Sequence, residues 1–255
     1  NELAPDVFTK AAKRNFIDER SIEKLRELRL PPSPRSGDAE FLRRAHLDSI
    51  GVLPTAAEAR AFLADTGPDK RDRVIDALLA RPEYVDYWTY KWSDLLLVNS
   101  KRLKGPVMWA YHTWIRNQIA ANVPWDRFAR DIVTAKGGTL EHGNGTFFLL
   151  QDDPTEMSET VSQVFLGMAI NCAKCHNHPM EKWTNDQYYG FASLFARVRV
   201  KSGRRDGDSI VFTAPDGELV QPLTNRPQPP APLDAKALPP GDPRYVNCDD
   251  VRGNE

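Results

Sequence analysis

Between Asn171 and Pro179 the chain reads Asn-Cys-Ala-Lys-Cys-His-Asn-His-Pro, gathering two of the three cysteines and two of the five histidines. Cys172-x-x-Cys175-His176 has the spacing for covalent attachment of one c-type haem. Two thiols three residues apart share one face of a helical turn, so each can add to a vinyl group at the porphyrin edge. The adjoining imidazole of His176 is then carried beneath the ring as the proximal iron ligand. The same donors suit other chemistry. Cys172, Cys175 and His176 or His178 suffice for a zinc or non-haem iron site that ties helices together. A thioredoxin-like pair instead needs its C-x-x-C at the start of a helix after a strand, and no βαβ pattern surrounds these residues.

The remaining members of such a site must come from further along the chain or from another element. His112 and Met108 fall at i, i+4 on one face of a predicted helix after Pro106, so either could approach an iron from across a bundle or simply pack. His112 is the distal candidate; His46 and His142 rank below it, and an open sixth position would let the iron bind small ligands. Met168, one predicted helical turn before Cys172, is expected in the core, and Met157 lies too far back along the same helix. His178 is expected to bond a propionate, a backbone carbonyl or Asp186, or to stand exposed. Trp183, Tyr188 and Tyr189 follow closely enough to line one wall of a haem.

The elements that position these residues are helical. Val161, Val164, Phe165 and Met168 recur at i, i+3, i+4, i+7 after Pro154, which predicts an amphipathic helix leading into the motif. Thr184-Asn185-Asp186-Gln187 is a capping box that opens the next helix, as Thr55-Ala56-Ala57-Glu58 does earlier. Tyr84 to Val98, dense in aromatics, predicts the most buried helix. Gly137 to Gly145 lacks the strand and Gly-Lys context of a phosphate cradle and reads as a loop. Val198 to Val211 has room for a short strand or hairpin, and nine of the 20 prolines fall between Pro215 and Pro243, the composition of an extended linker or surface strap. The expected fold is mainly α: a multi-helix, bundle-like domain with a haem-attachment helix, few or no strands and a proline-rich C-terminal tail. Its expected parts are a helical arm over 1–37, the helical domain over 38–200 and the tail over 201–255.

Composition narrows the function classes. The 255 residues carry 34 Lys plus Arg against 35 Asp plus Glu, leaving no basic field for nucleic acid. The mean hydropathy is −0.52, and no apolar run approaches the ~18 residues of a membrane span. Three cysteines cannot form a disulfide framework; Cys248, alone in the tail, reads as a free thiol, an intermolecular bridge or part of a further domain. Composition alone leaves an exported, processed chain and a cytosolic fragment equally open.

Five stretches sharpen the reading: Leu47 to Thr55 (LDSIGVLPT), Trp92 to Leu96 (WSDLL), Pro124 to Phe128 (PWDRF), Glu159 to Gly167 (ETVSQVFLG) and Cys172 to Tyr189 (CAKCHNHPMEKWTNDQYY). On these the chain from Phe41 to Arg199 resembles the planctomycete-type cytochrome family, specifically its large helical CxxCH-containing domain of unknown function. Met180 stands where that pattern usually has an aromatic. The resemblance implies an extracytoplasmic, periplasmic setting with the signal peptide removed, a longer multidomain polypeptide, and c-type haem through the CxxCH alone; it names no substrate or redox partner. The expectation is a mono-haem c-type cytochrome domain that transfers single electrons outside the cytoplasm, an electron-transfer protein with no catalytic residue assigned. Its alternatives are the non-haem metal module and a five-coordinate haem that binds small ligands.

Overall fold

Side-chain caps start several of the helices in the places the sequence predicts. The computed structural model describes residues 7–9, 13–151 and 153–234, and Cys248 lies outside them. Two compact units divide after Leu79. The expected boundaries after residues 37 and 200 do not coincide with this division.

The first unit holds α1 (Phe16–Glu27), α2 (Asp38–Ile50), α3 (Ala56–Ala64) and α4 (Lys70–Leu79). Capping boxes begin α1 at Asn15/Asp18 and α3 at Thr55/Glu58, and Gly51, at φ 71°, ends α2 in the left-handed region that favours glycine. Leu42, His46 and Ile50, spaced by four, form the buried stripe of α2. Around it Phe41 stacks on Phe62 at 5.9 Å, with the Arg71 guanidinium over Phe41. Arg71 and Lys70 both pair with Asp38, at 2.7 and 2.6 Å. Arg14, just before α1, pairs with Asp72 on α4, so the residues read as a separate arm belong to this unit.

The second unit contains α5 (Pro82–Leu95), α6 (Gly105–Ala120), α7 (Trp125–Val133), α8 (Pro154–Leu166) and α9 (Asn185–Ser193), with short 3₁₀ segments at Gly143–Leu149 and Asn171–Lys174. A small antiparallel sheet in the order β1 (Gly137–Gly138), β3 (Ser209–Thr213), β2 (Val198–Ser202) completes it, beside the two-residue pair β4 (Val220–Gln221) and β5 (Arg226–Pro227). The fold is mainly α with a few short strands. Val107, Tyr111, Ile115 and Ile119 recur every four residues and give α6 its buried stripe, which packs on α5 and on the 143–149 segment. Gly143 lies so close to α6 that a Cβ there would sit 2.3 Å from the Ala110 carbonyl oxygen, so only glycine fits.

The aromatic helix α5 is not the most buried one. Its fully buried residues are Thr89 and Ser93, and Tyr90 is 66% exposed. Trp92 packs sideways against Trp125, Phe128 and Phe165. The deepest element is α9, buried continuously from Tyr188 to Ser193. Part of the expected tail is also structured. Residues 198–213 form the β2–β3 hairpin expected there, which buries Val211 at the middle of β3. The proline-rich stretch up to residue 234 then crosses α9: Ala231 N–H donates to the Gly190 carbonyl and Leu233 is buried. Among the described residues no helix is long and apolar enough to cross a membrane.

Candidate haem-attachment turn

The helix before the motif stops short of it. Gly167, at φ 65°, caps α8, and Met168 N–H reaches back to the Ser162 carbonyl. Gly167 takes up the left-handed turn a β-carbon would resist, so the chain leaves the helix five residues before Cys172. The expected attachment helix is therefore a 3₁₀ turn, Asn171–Lys174, with Cys175 as its C-cap. The common face of the thiols survives this change: a 3₁₀ turn has 3.0 residues per turn, so positions i and i+3 eclipse. Cys172 and Cys175 are both free and exposed, while Ala173 between them is fully buried.

The two histidines are held in opposite states. Nδ1 of His176 lies 2.7 Å from the carbonyl oxygen of Asn177. A carbonyl only accepts, so Nδ1 carries the proton and Nε2 keeps its lone pair on an exposed ring. Nδ1 of His178 instead accepts from the backbone N–H groups of Met180 and Glu181, at 3.2 and 2.9 Å. Its proton sits on Nε2, and no lone pair is left for a metal. His178 holds the loop that returns to Trp183, whose carbonyl accepts from the His178 N–H; it bonds neither Asp186 nor a carbonyl through its ring.

The backbone of the turn is fastened from beneath by side chains to which the sequence assigns other roles or none. Asn185 is 4% exposed, and its Nδ2 donates to the carbonyls of Ala173 and Lys174 at 2.8 and 2.9 Å. Its backbone N–H donates to Asn177 Oδ1, and its Oδ1 accepts from Gln221 Nε2 at 2.7 Å. Gln221, on β4, is 2% exposed and takes the Thr224 hydroxyl on its own oxygen. Lys174 Nζ reaches Thr155 Oγ1 on α8, and the Tyr189 hydroxyl donates to the Lys174 carbonyl. The capping box at Thr184 and Gln187 is the only local signal for any of this; Gln221 is 36 residues away.

Trp183 and Tyr188 lie in the core, 4% and 0% exposed. Trp183 has Lys182 Nζ over its ring at 4.8 Å. The Tyr188 hydroxyl donates to Glu159 Oε1 at 2.6 Å. Burial first, and then the Glu159 carboxylate, push the Tyr188 phenol far above its ordinary range. Burial also raises Tyr189, with Cys175 and Asp153 adding to the effect. Tyr189 supports the turn from inside through the Lys174 carbonyl, and Tyr188 ties α9 to α8. His112, half-buried on α6, sets its ring edge-on to Trp109 at 5.5 Å, on a helix whose main partners are α5 and the 143–149 segment. His46 is buried in the first unit. Among the described residues no group of three or more His, Cys, Asp or Glu side chains is arranged to hold a metal ion.

The thiol pair and the His176 imidazole fit a covalently attached haem: two accessible sulfurs on one face and a neighbouring Nε2 with a free lone pair. They would hold its vinyl-derived carbons and its iron. Fold and site thus define a mainly helical domain that presents an exposed CxxCH turn held from beneath by buried Asn185. Residues 16–200 match the family model PSCyt2, described as a protein of unknown function (DUF1549), and the chain belongs to that family. Neither the curated proteins nor the solved structures yield a match.

Proposed function

We propose that this chain is a mono-haem c-type cytochrome domain working outside the cytoplasm, with Cys172 and Cys175 as thioether donors and His176 as proximal ligand. The observation that carries the reading is the hydrogen bond from His176 Nδ1 to the Asn177 carbonyl. It orients the ring and turns the Nε2 side away from protein partners, as the outer hydrogen bond of a metal-bound histidine does. When bound, the haem iron supplies a one-electron couple. The chain's own residues do the positioning: Asn185 holds the turn, and the buried Ala173 directs both sulfurs outward. A closed zinc module is supported less well, because the His178 ring spends Nδ1 on two backbone N–H groups and so removes the fourth donor that such a site needs.

The test is to produce the chain with an export signal in cells equipped for c-type haem attachment and to record spectra of oxidised, reduced and CO-treated protein. Haem that stays with the polypeptide through acid–acetone extraction, lost in Cys172→Ala/Cys175→Ala, is the expected result. Colourless export-matured protein containing zinc or iron by elemental analysis would sink the reading. Rapid CO binding to the reduced form would identify the five-coordinate alternative.

A further inference from the structure

A second site lies in the same unit, built from residues that the CxxCH turn does not use. The approach to α6 and the β2–β3 loop face each other across a cleft of about 610 Å³, within the size range of small-ligand pockets. Arg102 and Lys104 stand on one wall and Arg204 and Arg205 on the other, over an apolar floor that includes Leu103, Val107 and Leu149.

The acidic residues of the cleft do not cancel this charge. Asp208 is turned into its own loop, where its carboxylate accepts from the backbone N–H groups of Leu140 and Ser209 and from the Thr139 hydroxyl. Those bonds, with Gly203 N–H to the Asp208 carbonyl and Asp208 N–H to the Arg205 carbonyl, fix the loop that presents both arginines. Asp206 is 99% exposed and touches Lys104 at only 3.3 Å; Arg205 meets Glu141 at the same distance, with both side chains about two-thirds exposed. Such exposed pairs contribute little and yield readily to a better anion. Arg204 has no ion-pair partner among the described residues.

We infer that this cleft binds a small phosphate or sulfate ester. Guanidinium forks match tetrahedral oxyanions with paired charge-assisted hydrogen bonds, Lys104 adds a point charge, and the apolar floor takes the body of the ester. Planar carboxylates offer fewer oxygens to paired guanidinium forks such as those of Arg204 and Arg205, and the nearly neutral chain as a whole argues for a local ligand over a long polyanion.

The experiment is calorimetric titration of the full chain with inorganic pyrophosphate at low salt, repeated at about 0.15 M salt, where exposed charges are screened over about 8 Å. One saturable site is expected, weakened by salt. Arg204→Ala/Arg205→Ala should lower its affinity about tenfold or more, the loss of two charge-assisted contacts. Arg43→Ala/Arg60→Ala, which removes the same charge from exposed positions in the other unit, should change it less than about twofold. The arginines of both variants are exposed, and unchanged melting curves check the fold. Separate titrations with inorganic phosphate and inorganic sulfate identify which ester the cleft prefers; either order supports the shared chemistry. No saturable binding of any of the three anions, or equal losses in the two double variants, overturns the inference. None of these outcomes depends on haem.

Discussion

Helix α6 and the stretch from Asn171 to Asn185 hold their shapes by opposite means. In α6 the backbone satisfies itself, and the helix is placed by an apolar stripe, Val107, Tyr111, Ile115 and Ile119, sunk in the core. Between Asn171 and Asn185 there is one short 3₁₀ turn and then irregular chain, placed by polar bonds from Asn185, Asn177 and His178. Apolar packing tolerates volume-conserving change, whereas a buried polar network loses most when one member goes, because its partners are stranded. The polar arrangement also allows something the helix does not. With the backbone gripped from below, Cys172, Cys175 and His176 need no packing of their own and can face solvent.

The hardest test of this contrast is Asn185→Ala. It strips the Ala173 carbonyl of its side-chain donor and takes one partner each from the Lys174 carbonyl, which keeps the Tyr189 hydroxyl, and from Gln221 Nε2, which keeps Asp186. An unsatisfied buried group costs ~1–3 kcal/mol. We expect a loss of about 2 kcal/mol in denaturant unfolding, together with faster modification of Cys172 and Cys175 by a thiol reagent in the native state. Unchanged thiol kinetics would show that Asn185 does not hold the turn.

The two buried tyrosines give the next test. Tyr188→Phe removes a hydroxyl bonded to Glu159 and should cost about 2 kcal/mol, in the range for a hydrogen bond to a charged group. Tyr111→Phe, on α6, removes a hydroxyl that has no hydrogen-bond partner among the described residues and should be neutral or stabilising by up to about 1 kcal/mol. Burial raises both phenols above the usual tyrosine range. The unfolded chain therefore releases these protons first, and stability should fall as pH rises past about 10. The double variant should flatten that fall in an alkaline unfolding series.

The smallest effect expected is at the start of α8. Asp153 accepts from the N–H groups of Thr155 and Glu156, and Asp153→Ala should cost ~1 kcal/mol, as N-cap deletions do. Partial burial works against the charged carboxylate, but the Thr155 hydroxyl, the two N–H groups and Lys174 outweigh it and hold its pKa below the usual value. That contribution is present above about pH 4 and lost as pH falls through the depressed folded value, so wild type and variant should converge in acid unfolding curves.

Much of the frame was legible in the chain. The capping boxes at Thr55 and Thr184, the apolar period of α8 and the helix opened by Pro106 all appear in the structure, because caps and amphipathic faces are written within a few residues. The aromatics of α5 misled for a physical reason: their number marks a sticky surface, while burial depends on what lies opposite, and Tyr90 has nothing over it that excludes solvent. In the tail, the strand or hairpin read over Val198 to Val211 is the β2–β3 hairpin. The seating of Leu233 and the bond from Ala231 N–H to the Gly190 carbonyl instead depend on α9, which no local pattern in the proline-rich stretch encodes.

For the candidate site, the sequence by itself determined the donor set and its spacing: two sulfurs and an imidazole that any tight turn brings onto one side. Only the tertiary structure decided that the turn is 3₁₀, that Gly167 separates it from α8, and that Asn185 and Gln221 clamp it from below. It also decided which histidine keeps a free Nε2. Spacing and periodicity are short-range properties that survive in the chain's local grammar. A tautomer depends on which backbone group happens to face the ring, and a buried amide on partners folded in from 36 residues away, so both exist only once the chain has packed.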